Sequence, residues 1–108
     1  MTTYLKISKD ESLTESVSTE KLKDFISSMP EFIKKSEFGF KNSKLFPHSD
    51  ITLLKAKSIS SWSSCDYCSI NTNLISIVCS ENNDFTLEKM EVIFKKIARF
   101  LNWELVYE

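Results

Sequence analysis

The chain has 108 residues, 42% of them apolar, and eight Phe, three Tyr and two Trp supply bulky core material. That is enough for one hydrophobic core without disulfides or metal and too little for two, so residues 1–108 are expected to form a single domain. Fourteen basic against fifteen acidic side chains leave a net charge of −1, which argues against the basic excess of a duplex nucleic-acid binder and leaves a protein partner open.

Met1 to Lys6 carry no basic stretch followed by a long apolar run, so they do not read as a secretory signal. No apolar run approaches the ~20 residues that span a bilayer. The cytosol is the expected compartment. The cysteines, Cys65, Cys68 and Cys79, are odd in number, and without a secretion signal they read as free thiols. The wealth of Lys, Ser, Ile, Asn and Phe, with little Ala, Gly or Pro, suggests an A/T-rich coding genome, often bacterial.

In chain order, residues 3–8 alternate Leu5 and Ile7 with Lys6 and Ser8, the period of a half-buried strand. Residues 9–17 are polar and acidic, a solvated loop. Ser18 is a good N-cap, and Val17 and Leu22 stand at the positions of a hydrophobic staple. Leu22, Phe25, Ile26 and Met29 then fall on one helix face. Pro30 ends or kinks that helix and suits the first turn of a second, short one through Phe32, Ile33 and Lys35. Gly39, the only glycine, is expected to close that piece in a left-handed conformation.

Residues 51–57 read as a second strand. Residues 58–73 are rich in Ser and Asn and read as extended, with a turn at Asn71-Thr72-Asn73. Residues 74–79 form the strongest strand signal, short, apolar and β-branched. Thr86 is placed to cap a long helix whose stripe is Leu87, Met90, Ile93, Phe94, Ile97 and Leu101. Asn102 ends it, and Trp103, Leu105 and Tyr107 alternate through a last strand. The pattern predicts an α+β fold: an antiparallel sheet with two main helices on one face, in split βαβ, ferredoxin-like order.

No motif fixes a chemistry. Cys65-Asp66-Tyr67-Cys68 is half of a zinc site, which Cys79 and His48 would have to complete; the long gap from His48 and the core position of Cys79 disfavour it. The same C-x-x-C lacks the strand-to-helix setting of a redox pair. His48, the only histidine, would need an orienting group and a pocket to act as a base, and reads as a surface side chain. One glycine does not build a phosphate loop. The chain is therefore expected to be no enzyme and to need no metal or cofactor.

Two stretches carry binding character. Lys34, Lys35, Lys41 and Lys44, with Lys55 and Lys57 further on and Phe38, Phe40 and Phe46 interleaved, fit a single-stranded nucleic-acid surface, or a solvated face over core phenylalanines. Between Lys57 and Lys89 every charge is acidic: Asp66, Glu81 and Asp84, with Glu88 already in the predicted helix. Trp62 and Tyr67 lie among the Ser and Asn there, the composition that binding surfaces favour. The plain alternative is a polar loop with Trp62 in the core.

Size, the absence of catalytic motifs and this acidic, aromatic stretch give the chain a particular character. So do Phe25-Ile26-Ser27-Ser28-Met29-Pro30-Glu31-Phe32 and Ile97-Ala98-Arg99-Phe100-Leu101-Asn102-Trp103. It resembles the immunity proteins that accompany bacterial toxins, including those of contact-dependent growth inhibition systems. Its near-neutral charge departs from the strongly acidic inhibitors of basic nucleases. The resemblance implies a cytosolic inhibitor that covers the active site of a cognate toxin, a nuclease by expectation. Trp62, Asp66, Tyr67, Glu81 and Asp84 would form the contact. The alternative is a ferredoxin-like RNA or single-strand binder, which requires aromatics such as Tyr4 exposed on the sheet beside basic residues.

Overall fold

The computed structural model describes residues 2–43, 48–59, 62, 67–80 and 84–107, with only the backbone of 84–87. It is an α+β fold. In chain order the elements are β1 (Thr2–Ser8), β2 (Val17–Ser18), α1 (Thr19–Ser27), β3 (Phe32–Ser36), β4 (Gly39–Asn42) and β5 (Ser49–Leu54). Then come β6 (Asn71–Thr72), β7 (Leu74–Ser80), α2 (Asp84–Leu101) and β8 (Glu104–Tyr107). Six strands form one sheet in the order β3-β4-β5-β7-β1-β8, with every neighbouring pair antiparallel. Strands β2 and β6 pair separately.

Strand alternation sorts the side chains onto two faces. Leu5 and Ile7 of β1, Phe40 of β4, Ile51 and Leu53 of β5, and Ile75, Ile77 and Cys79 of β7 point to one face and form the main core. Leu22 and Ile26 of α1 and Met90, Phe94, Ile97 and Leu101 of α2 pack on that set, and Phe25 stacks on Phe100 between the helices at 3.9 Å. On the other face a smaller cluster, Leu54, Ala56 and Leu74, is packed by Leu13 and Trp62 and seals one end of the sheet.

The caps follow from the sequence where local chemistry decides them. The Ser18 side chain accepts a hydrogen bond from the Lys21 N–H and starts α1. Asn102 takes φ 60° and closes α2. Its N–H reaches Arg99 O and the Trp103 N–H reaches Ala98 O, the paired bonds of a Schellman end.

Several expectations are corrected. Residues 32–36 are strand and not a short helix, so the sheet is wider than predicted. Phe32 enters the core while Ile33 and the rest of the strand are exposed, and pairing with β4 fixes that register. No glycine has positive φ. Gly39 lies buried in β4, where a Cβ would meet Ser36 Oγ at 2.8 Å; close approach within the hairpin explains it. Helix α2 begins at Asp84, two residues before the expected Thr86 cap. The second strand runs 49–54 and not 51–57. Residues 71 and 72 pair with β2 and are not a turn.

Candidate functional site

The helices occupy one sheet face, and the opposite face carries none of their core contacts. The register lays the helix-free side chains in rows across the strands. One row runs Ile33, Lys41, Asp50, Val78 and Tyr4. The next runs Gly39, Thr52, Ser76, Lys6 and Val106. Tyr4 stands on this face because Leu5 beside it enters the core, and it is 51% exposed.

At the β3–β4 turn, on the edge of the main core, lies an aromatic pair. Tyr67 stacks on Phe38 at 4.3 Å and 19° and is 54% exposed. Lys23 of α1 lies 5.7 Å from the Phe38 ring and pairs with Glu37 at 3.4 Å. Ser36, Glu37, Phe38, Thr52 and Tyr67 line a shallow basin of about 330 Å³. A ring held outside the core on a second ring is rigid, amphipathic contact area, the material of binding anchors.

The predicted contact residues are not all brought together. Trp62 is half-buried against Leu54, Ala56 and Leu74, in a packing role. Tyr67 is exposed on Phe38, whose carbonyl accepts from the Leu53 N–H of β5. Asp84 opens α2, four residues past the far end of β7, and so stands at the opposite end of the sheet. Asp66 and Glu81 lie outside the described residues.

Cys79 is fully buried. It pairs in register with Ser49, near His48, which is exposed. Cys68 is half-buried and its carbonyl accepts from Thr19 Oγ1 at 2.8 Å, at the other end of the sheet. Backbone N–H groups of Asn71 and Ile70 hold its thiol below the usual range. Among the described residues no three His, Cys, Asp or Glu side chains are placed to share a metal ion. Cys65 lies outside them. No described helix is long and apolar enough to cross a membrane.

Sequence reading missed Phe38 as the partner of Tyr67, but it grouped Lys35 with Lys41, which line one basin. The alternation around Leu5 was the signal that placed Tyr4. No signal placed Tyr67, because its stacking partner is 29 residues away. No family model, curated protein or solved structure matches the chain.

Proposed function

We propose that this is a cytosolic protein-binding domain of the immunity type, which neutralises a toxin by covering its active surface, with Tyr67 and Phe38 as anchors. The observation that carries the reading is the exposed Tyr67 ring stacked on half-buried Phe38, which itself rests on the core. An exposed tyrosine needs no ring partner for stability, whereas a pre-ordered one loses little side-chain freedom when a partner closes over it. Asp66, adjacent in sequence, is the proposed steering acid for a basic partner. The framework is read as a split βαβ core, β5-β7-β1-β8 with α1 and α2, widened by the β3–β4 hairpin. The order of those four strands supports it.

The test uses the immobilised protein and its Tyr67→Ala variant, matched for melting temperature. Truncating an anchor costs about 2 kcal/mol or more, roughly 30-fold in affinity. The expected result is a stoichiometric partner that wild type retains and Tyr67→Ala releases. That partner, expressed alone, arrests growth, and co-expression of the chain relieves the arrest. Equal retention by Tyr67→Ala and Phe38→Ala removes the anchor; a partner without growth arrest removes the neutralising role.

A further inference from the structure

We infer that the helix-free sheet face binds single-stranded nucleic acid, with phosphates over Lys35 and Lys41 and a base stacked on Tyr4. This surface borders the Tyr67 basin, and its contact residues Tyr4, Lys35 and Lys41 are not among that basin's lining residues.

At the β3–β4–β5 end, Ile33, Lys35, Lys41, Asn42, His48 and Asp50 line an open basin of about 460 Å³. Lys35 pairs with Asp50 at 3.0 Å, so the only carboxylate in the basin is already met. Lys41 stands opposite Asp50 in register, is exposed, and makes no ion pair among the described residues. Two ammonium groups against one carboxylate leave the basin positive in a chain whose net charge is −1. His48 adds a ring N–H able to hydrogen-bond a phosphate oxygen, while the Asn42 amide is engaged with Ser43 O and the Ser49 N–H.

From Lys41 the row crosses Asp50 and Val78 to Tyr4. That is three strand spacings, about 14 Å, a span that a short extended run of nucleotides can bridge. Ile33, 48% exposed, and Val106 in the neighbouring row give further apolar area. A flat, aromatic-bearing face with a small positive end suits unpaired bases, whose ring faces are available for stacking. A duplex hides those faces and demands many more phosphate contacts than this basin has cations.

The probe is short fluorescein-labelled oligo-dT and oligo-U, titrated by anisotropy at low and at physiological salt. Wild type is expected to bind and to weaken with salt. Tyr4→Ala should weaken binding about tenfold at either salt. Lys41→Ala should lower the slope of log affinity against log salt by about one. Both positions are exposed, so unchanged melting curves guard against misfolding. No anisotropy change at low salt overturns the proposal. So does binding that neither substitution alters, because the contact then lies elsewhere. Displacement of the oligonucleotide by polyglutamate, with Tyr4→Ala neutral, also overturns it and makes the basin a seat for an acidic protein segment. Tyr67→Ala leaves Tyr4 and Lys41 in place and should leave this binding unchanged, so the two readings fail separately.

Discussion

Asn73 donates from its side-chain amide to Ala56 O at 3.0 Å and accepts from Ala56 N–H at 2.8 Å. It is buried, and its own N–H reaches Leu54 O. One side chain thus continues the β5–β7 pairing past the end of the strands. Asn73→Ala would leave two buried backbone groups without partners, and should destabilise the protein by about 2–4 kcal/mol in urea unfolding. At the α2–β8 contact the Tyr107 phenol donates to Glu91, which also pairs with Lys95. Burial of the hydroxyl and this bond push Tyr107 up to about 12 from 10. The hydrogen bonds from Tyr107 and Lys95 lower Glu91. The raised phenol contributes stability in full below pH 10, and this is lost as pH climbs through about 12. The lowered carboxyl contributes above its ordinary range and loses that share as pH falls through its folded value. Melting temperature against pH should therefore drop at both ends, and Tyr107→Phe should flatten the alkaline limb. An unchanged limb would place the alkaline loss elsewhere. In a Cys65→Ser background, iodoacetamide should label Cys68 in the folded protein and spare buried Cys79 until unfolding, which peptide mass mapping reads directly.

At the scale of elements, legibility followed locality. Ser18, Asn102, the Leu22–Ile26 face and the β-branched run of β7 are set by neighbours within a turn or two, and the structure has them where the sequence placed them. Ser18→Ala should cost about 1 kcal/mol, a fall of roughly 5 °C in melting temperature by calorimetry. The β3–β4 hairpin was not legible, since Lys34 and Lys35 between Pro30 and Gly39 satisfy a short helix as readily as a strand. What decides is β4, whose Phe40 pairs with both Lys34 and Ile51 in register. That pairing is a property of two segments and not of either one. The site divides in the same way: Tyr4 could be placed from its alternating neighbour, whereas Tyr67 on Phe38 could not.

For the whole molecule, composition hid how charge is distributed. A net charge of −1 conceals a positive basin on the helix-free face. The two edges of the sheet are also unlike. β3 carries exposed Lys34 and Lys35 and a register shift between Lys34 and Ser36, devices that deter pairing with another chain. β8 has no lysine, and its register with β1 runs without a shift from Glu104 to Tyr107.

Strand β1 lies between β7 and β8, whose first residues are Leu74 and Glu104. During translation it leaves the ribosome before either neighbour has been made. Leu5 and Ile7, both wholly buried at the end, must wait on the nascent chain while the β3–β4–β5 meander can already assemble from adjacent segments. Completion of the sheet is thus tied to β8, which is made after all the other described strands. A stall late in elongation would hold an apolar strand open to chaperones or to other copies, however stable the finished protein is.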